Sequence, residues 1–354
     1  MKKVLIAVAA TGLTAGAFAQ SNVTIYGSMD AGVAYINNIG GNSAVRLDQG
    51  TMQPDRIGFR GVEDLGGGLK ANFQLETGFF VDTGAMTNAG RLFNRASTVG
   101  LSGNFGAVTL GNMPDIVFDY AGKLSNGFQL TNFYLFHPGN LDTLANTYQF
   151  NNAIRYTSPT FSGLTVSGMV GLGEVAGDSG RGRNVSAGAN YVQGPLRLAL
   201  AYSKQNDRPA GFAGTFLGSL GLGNGGTVFD SLTTIAAGAG YAIGNVRMHA
   251  LYTQSKIELP TISPTQKNVD IGTSWRYTPA NALNVGYSHS RLEGARYNQI
   301  SVGNAYSLSK RTEIYAQAAY QRAGGTARFA IQNNTGVSSS DSQLVTTVGV
   351  HHSF

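Results

Sequence analysis

The side chains that could do catalytic or metal chemistry are few and widely spaced. The chain has no cysteine, and its histidines include one adjacent pair, His351 and His352. Neighbouring residues of a strand point to opposite faces, so this pair cannot hold one metal ion together. The other histidines, His137, His249 and His289, stand alone. We therefore expect no metal site, no cofactor and no enzymatic activity.

One glycine-rich stretch has the spacing of a dinucleotide-binding loop. Residues 221–226 read G-x-G-x-x-G, but this pattern binds a pyrophosphate only where a strand precedes it and a helix follows it. No helical pattern follows here, and the stretch lies within a long polar connection. We interpret it as an ordinary loop.

Charged side chains at even spacing offer a different kind of chemistry. Arg46, Arg56 and Arg60 share one parity, whereas Ile57 and Phe59 have the other. In an extended strand this spacing places the arginines on one face and the apolar side chains on the opposite face. Fixed charges along a polar face can attract and orient ions and small polar solutes without making or breaking a bond.

The elements that would position these charges are β-strands. Alternation with a period of two runs through the chain, so that Val269 and Ile271 oppose Asp270, and Ile314 opposes Glu313. Gly accounts for 49 of 354 residues and only 12% of residues are charged, a composition typical of strands and turns. No stretch reaches the roughly 18 apolar residues that a spanning helix needs. The pattern therefore predicts strands with one polar and one apolar face.

The connections between the strands are of two kinds. Short turns are found at 65–68, 103–106, 193–195, 243–245, 278–281 and 307–310. Longer polar connections fall near 37–43, 81–90, 114–147, 174–183, 205–231, 256–265, 291–296 and 323–342. The segments between them number 16, and an even number of strands with short turns at one end and long loops at the other is typical of bacterial outer-membrane barrels. We therefore predict an all-β fold, a 16-stranded antiparallel transmembrane β-barrel whose polar face lines a water-filled channel.

The amino terminus has the form of an export signal. A basic start and an apolar run precede Ala17-Phe18-Ala19, which has the small-x-small form of a cleavage site. We predict that residues 1–19 are a removed signal peptide and that residues 20–354 form the barrel. The net charge of +6 comes from single, scattered basic residues, so it does not predict a nucleic-acid partner.

Several stretches resemble one known family across most of residues 20–354. They are residues 23–27, 56–71, 99–103 with 105–106, 151–156 with 158–159, 306–312 and 348–354. The chain is similar to the trimeric general porins of Gram-negative bacteria, most closely to the β-proteobacterial type. The resemblance implies a homotrimer in the cell outer membrane, in contact with lipid and lipopolysaccharide, through which small hydrophilic solutes and ions diffuse passively. It also implies that the terminal Phe354 is a signal to the barrel-assembly machinery.

The same resemblance assigns the narrowest part of the channel. Residues 114–147 correspond to a third loop that such porins fold inward, and this segment carries Asp115 and Asp119. The matching basic positions on the wall are Arg56 and Arg95. The residues predicted to line the constriction are therefore Arg46, Arg56, Arg60, Arg95, Asp115, Asp119 and Gln149. Size and these charges are expected to set the selectivity.

The inward placement of Arg95 rests on the resemblance alone. Arg95 has the parity of Val99 and Leu101, and we expect these two apolar side chains to pack under the inserted loop. The small residues at positions 96, 98 and 100 would then face outward and allow close contact with a neighbouring barrel.

Two positions depart from the family pattern. Asn112 and Gln149 stand where arginine is common, so the preference between anions and cations stays open. A substrate-specific outer-membrane channel is the main alternative function, and a barrel enzyme or an adhesin is a third. The polar, glycine-rich stretches 211–226 and 333–340 are expected at the surface.

Overall fold

A computed structural model describes residues 22–354, which fold almost entirely into β-strands. The predicted signal peptide, residues 1–19, lies outside the described residues. The strands are β1 (Asn22–Ile39), β2 (Asn42–Gln49), β3 (Arg56–Gly66), β4 (Leu69–Gly78), β5 (Ala96–Gly103), β6 (Gly106–Pro114), β7 (Gln149–Thr157), β8 (Leu164–Gly171), β9 (Asn184–Gln193), β10 (Leu196–Pro209), β11 (Val228–Ile243), β12 (Val246–Glu258), β13 (Thr265–Trp275), β14 (Asn281–Leu292), β15 (Ala295–Ser307), β16 (Thr312–Gly325) and β17 (Ser342–Ser353). Two short α-helices are α1 (Asn126–Gln129) and α2 (Ala213–Ser219).

The strands form one closed antiparallel sheet. Each of β3 to β16 pairs with the next strand along the chain, and β17 pairs with β1 from Ser28↔Ser353 to Ile36↔Val345. Both β2 and β3 pair with β1, one along each half of it, so together they occupy one position in the wall. The seventeen strands therefore fill sixteen wall positions, and the prediction of a 16-stranded antiparallel barrel is confirmed. Closure leaves no strand edge whose backbone N–H and C=O groups would face lipid without a hydrogen-bond partner.

The break between β2 and β3, residues 50–55, is satisfied by side chains of β1 and of the break itself. The Asp30 carboxylate accepts hydrogen bonds from the backbone N–H groups of Met52 (2.5 Å) and Gln53 (2.8 Å). The Asp30 N–H in turn donates to Asp55 Oδ1 at 2.6 Å. Carboxylates thus replace the ladder bonds that the break removes, as buried backbone groups require.

The connections follow the predicted asymmetry, with two differences. Residues 79–95, 115–148, 172–183, 210–227, 259–264 and 326–341 link strands at one end of the barrel, and turns of two to six residues link them at the other end. The predicted long connections 37–43 and 291–296 are two-residue turns, because β1 continues to Ile39 and β14 to Leu292. In both places polar residues continue the strand ladder, and polarity alone does not separate such a strand end from a loop.

The two faces of the wall differ as the alternation predicts. In β13 the outward Val269 and Ile271 are 39% and 57% exposed, whereas Asp270 between them is buried. Tyr202, Tyr252, Tyr287 and Tyr320 also face outward. No helix in residues 22–354 has the length and hydrophobicity that crossing a membrane requires.

The lumen is partly filled by connections from the long-loop end. Residues 115–148, called the third loop below, are mostly buried. Residues 210–227 also turn inward, since Phe216 of α2 is buried against Gly139 of the third loop. The surface position predicted for 211–226 is therefore wrong in part. The surface position predicted for 333–340 is also wrong in part, because Asn333 is buried and donates to the Phe133 carbonyl. Apolar residues of α2 hold the first segment inward, and amide side chains that bond the backbone of the third loop hold the second.

Candidate functional site

The third loop is attached at its start to β7 and β9 of the wall. Ser186 donates to Asp115 Oδ1 at 2.5 Å, and Asp115 also accepts from the Val117 N–H. Arg155 forms an ion pair with Asp119. Both acids are thus engaged by the wall, and Asp115 is fully buried.

The middle of the third loop is attached through Asn126. Its N–H donates to Asp270 Oδ2 (2.8 Å), and its side-chain amide donates to the Tyr287 carbonyl (2.9 Å). Two glycines of the wall, Gly272 and Gly286, leave room for this contact. A Cβ on Gly272 would lie 2.5 Å from Asn126 Oδ1, and one on Gly286 would lie 2.4 Å from a Leu130 methyl carbon.

Past Leu130 the third loop crosses to the far side of the barrel. Gln317 of β16 donates to the Thr131 carbonyl at 2.7 Å. The Phe133 N–H donates to the Thr51 carbonyl at 2.7 Å, and the Tyr134 hydroxyl donates to Asp48. The loop is therefore held on opposite sides of the lumen, which narrows it.

His137 connects the returning half of the loop to β13. Its Nδ1 lies 2.6 Å from Asp142 Oδ2 and its Nε2 lies 2.9 Å from Asp270 Oδ1. Burial alone would lower the pKa of His137, but the two carboxylates outweigh it and raise this pKa to about 10. At neutral pH a buried imidazolium therefore bridges two carboxylates.

Three arginines cluster on the wall around one acid. Glu76 Oε1 accepts from Arg95 Nε at 2.6 Å, and Glu76 Oε2 lies 4.0 Å from Arg56 Nε. Tyr26 donates to Glu76 at 2.8 Å, and the guanidinium of Arg60 lies over the Tyr26 ring at 5.0 Å. One carboxylate thus serves two guanidinium groups, and Arg60 has no ion-pair partner within 4.0 Å in the described residues.

Arg46 stands apart from this cluster. It forms an ion pair with Asp48 (2.5 Å) and donates to the Asn334 carbonyl at 2.6 Å. Tyr134 bonds the same Asp48. Arg46 therefore ties β2 to the third loop and to residues 326–341.

A cavity of about 320 Å³ lies beside the arginine cluster. Arg95, Gln149 and Asp55 line it, together with asparagines and phenylalanine rings. Gln149 is mostly buried and donates to the Asn146 carbonyl at 2.8 Å. The structure thus brings Arg56, Arg60 and Arg95 together, with Gln149 nearby across the cavity.

The details predicted around Arg95 are partly wrong. Arg95 reaches Glu76 because it precedes β5, so the alternation of that strand does not govern it. Within β5, Val99 and Leu101 are exposed on the outer face and do not pack under the loop. The small residues at 96, 98 and 100 pair with lumen-facing residues of β4, so they do not face a neighbouring barrel.

Asn112 also lies away from the cluster. It pairs with Ser97 and shares the outward face with Leu110, and it accepts a hydrogen bond from Arg91 at 3.2 Å. The presence of Asn112 in place of the family's arginine therefore removes no charge from the lumen.

Sequence reasoning missed Glu76 as a site residue. Its parity with Lys70 and Gln74 places it on the polar face and could have drawn attention to it. Phe79 and Phe80 carry no such signal, because they follow β4 in an irregular segment. No three His, Cys, Asp or Glu side chains in residues 22–354 are grouped as a metal site would require.

Comparison with known proteins agrees with this geometry. The family model described as Gram-negative porin matches residues 5–326. Outer membrane porin protein 32 of Delftia acidovorans is 31% identical, covering 100% of both chains. The solved structure described as an anion-selective porin from Comamonas acidovorans is 27% identical, has a TM-score of 0.77, and aligns over 95% of this chain and all of that one.

A more distant likeness shows the fold alone. The trimer form of OmpT, an outer membrane protein of Vibrio cholerae, has a TM-score of 0.69 at 13% identity and aligns over 94% of this chain and 99% of that one. A closed barrel with an inward third loop, matched along its length by the family model and by a relative more than 30% identical, settles the family. The chain belongs to the Gram-negative porin family and is a general porin of the outer membrane.

Proposed function

We propose that this porin prefers anions and that Arg56, Arg60 and Arg95 carry the preference. The supporting observation is the distribution of partners: within residues 22–354, Glu76 is the one acid within 4.0 Å of any of the three guanidinium groups. Asp55 lines the same cavity, but its carboxylate accepts hydrogen bonds from backbone N–H groups instead. A net positive charge at a narrow point favours anions over cations of similar size.

The acids of the third loop do not offset this charge. Asp115 is buried and bonded to Ser186, Asp119 is paired with Arg155, and Asp142 is paired with His137. They therefore act in our proposal as attachments of the loop, which sets the width of the channel. The name of the Comamonas porin, anion-selective, agrees with this assignment.

Further parts of the proposal come from the family. We infer a homotrimer, with lipid and lipopolysaccharide around it, and insertion by the barrel-assembly machinery through Phe354. We also infer cleavage of residues 1–19 and no enzymatic activity. Small hydrophilic solutes would cross down their own gradients, sieved by cross-section.

The test is the reversal potential across a planar bilayer under a KCl gradient. We expect the sign of the reversal potential to report a preference for chloride. We expect its magnitude to be smaller in Arg60→Gln and in Arg95→Gln. Arg322→Gln is the matched control, because Arg322 is exposed on the outer face and paired with Asp341. A reversal potential of the unmodified protein whose sign reports a preference for potassium would refute the proposal.

A further inference from the structure

The cavity of about 320 Å³ beside the arginine cluster is lined by aromatic rings from three separate segments. Phe79 and Phe80 follow β4, Phe133 belongs to the third loop, and Phe212 lies just before α2. Phe79, Phe80 and Phe212 belong to none of the buried hydrophobic clusters of residues 22–354. Packing of the protein interior therefore does not account for these rings. We call this cavity the aromatic pocket.

Arg95 supplies a positive charge to the lining of the aromatic pocket. Its Nε donates to Glu76 Oε1 at 2.6 Å. In residues 22–354 its two Nη atoms have no hydrogen-bond partner, yet they are not buried. A guanidinium presents five N–H donors in a planar fork, so the N–H groups on both Nη atoms are free to bind a second carboxylate.

The aromatic pocket offers less to a neutral sugar. Asn94 already bonds both backbone groups of Gly78, Gln149 bonds Asn146, and Asp55 accepts from backbone N–H groups. A sugar needs a free donor or acceptor for each hydroxyl that it buries, whereas a carboxylate needs only the guanidinium fork. The lining therefore favours a compact anion with an apolar body.

We propose that the aromatic pocket binds carboxylates that carry one aromatic ring, such as benzoate, with the carboxylate on Arg95 and the ring among the phenylalanines. Guanidinium and carboxylate groups form charge-assisted, bidentate pairs, and aromatic rings attract one another edge to face or in offset stacks. A cavity of about 150 Å³ is enough for one benzene ring, so the pocket has room for the ring and its carboxylate. The inference rests on the proposed anion preference, because Arg95 serves both.

Binding of this kind would act on transport. A channel conducts a solute well when binding is strong enough for the solute to enter and weak enough for it to leave. The aromatic pocket lies beside the arginine cluster, so it concentrates aromatic carboxylates next to the constriction. Their flux at low external concentration is therefore expected to exceed that of carboxylates that have the same charge and no ring.

The test follows the chloride current of the purified porin in a planar bilayer while benzoate is added. A solute in the aromatic pocket obstructs the chloride path, so the half-inhibiting concentration reports its affinity. Two aromatic contacts correspond to about a 10-fold difference in affinity, and we expect benzoate to inhibit at about a 10-fold lower concentration than acetate. Cyclohexanecarboxylate, whose ring is not aromatic, should fall between them.

The variant Phe80→Ala with Phe212→Ala should raise the half-inhibiting concentration of benzoate about 10-fold and leave that of acetate unchanged. Phe80→Tyr with Phe212→Tyr keeps both rings and should behave like the unmodified protein. The matched control is Phe128→Ala, because Phe128 is a third-loop residue that is 44% exposed and does not line the aromatic pocket. It should also inhibit like the unmodified protein.

Equal inhibition by benzoate and acetate would overturn the inference, as would unchanged benzoate inhibition in Phe80→Ala with Phe212→Ala. Inhibition by glucose at the benzoate concentration would overturn it in favour of a sugar site. The reversal potential without benzoate separates the two proposals, because the phenylalanine variants remove no charge. A preference for chloride without selective inhibition by benzoate refutes this inference alone, and a preference for potassium with such inhibition refutes the anion preference alone.

Discussion

Phe354 and Gly27 exchange both of their backbone hydrogen bonds at the seam where the barrel closes. The Gly27 N–H donates to the Phe354 carbonyl at 3.0 Å, and the Phe354 N–H donates to the Gly27 carbonyl at 3.1 Å. The ring of Phe354 covers Gly27 so closely that a Cβ there would lie 2.3 Å from it. The last residue of the chain is thus also a structural part of the first wall position.

This contact separates a structural role of Phe354 from a signalling role. In Phe354→Ala the backbone bonds can persist, so we expect the purified protein to refold in detergent with a loss of about 1–3 kcal/mol of unfolding free energy. If Phe354 is also read by the assembly machinery, the amount of this variant in the outer membrane of cells falls much further than its stability does. The refolding yield in detergent and the amount of the variant in the outer membrane, measured side by side, decide between a structural and a signalling role.

A second variant tests the seam itself. Gly27→Ala would place its Cβ 2.6 Å from the Arg56 carbonyl as well as against the Phe354 ring, and overpacking of this kind costs about 1–3 kcal/mol. Combining Gly27→Ala with Phe354→Ala should relieve only the part due to the ring. Thermal unfolding in detergent measures the stability of the two single variants and of the double variant. If the losses of unfolding free energy in the single variants simply add in the double variant, the close contact is contradicted.

Glu76→Gln should increase the anion preference. The substitution removes the one carboxylate that lies within 4.0 Å of Arg56 and Arg95 in residues 22–354. A unit charge about 6 Å from a permeating ion in water changes its energy by about 0.7 kcal/mol, with opposite sign for chloride and potassium, so the chloride-to-potassium permeability ratio should change by about tenfold. The reversal potential measures this ratio. A shift toward potassium would show that the arginines do not face the permeating ions.

The stability of the third loop should depend on pH through His137. Its pKa is raised in the folded protein to about 10, against about 6.5 in an unfolded chain. The stabilisation is therefore fully present below pH 6.5 and is lost as the pH rises through about 10. We expect the melting temperature in detergent to fall between pH 7 and pH 10.

His137→Gln provides the comparison for this pH dependence. It should melt at a lower temperature than the unmodified protein at pH 7, because Asp142 and Asp270 lose the imidazolium between them. Its melting temperature should also change less between pH 7 and pH 10. Parallel pH curves for the two proteins would count against a charged His137.

Gly286→Ala should displace the third loop. The added Cβ would lie 2.4 Å from Leu130 and 3.0 Å from Asn126 Oδ1, so the loop must move away from β14 and toward the lumen. We expect a lower single-channel conductance. Gly168→Ala is the control, since Gly168 is also in a strand but has no atom within 4 Å of the added Cβ; equal conductance of the two variants would argue against a loop that sets the width.

The sequence predicts the wall of this barrel far better than its contents. A period of two is a local signal, and it correctly separates Asp270 from Val269 and Ile271. The contacts that hold the third loop join residues distant in sequence, such as His137 and Asp270, and alternation contains no information about which lumen-facing residue meets which loop residue. Arg95 shows a second limit. It lies just before β5, where the alternation of the strand no longer determines which face a side chain occupies.

The interruption of the second wall position also connects the seam of the barrel to the third loop. Its residues are held by Asp30 of β1, which in turn accepts a hydrogen bond at 2.6 Å from the Tyr315 hydroxyl of β16, and the Thr51 carbonyl then receives the tip of the third loop. The receiving site for the tip therefore rests on contacts between β1 and β16, strands that only the closed barrel brings together. The width of the channel thus depends on the same residues that close the ring.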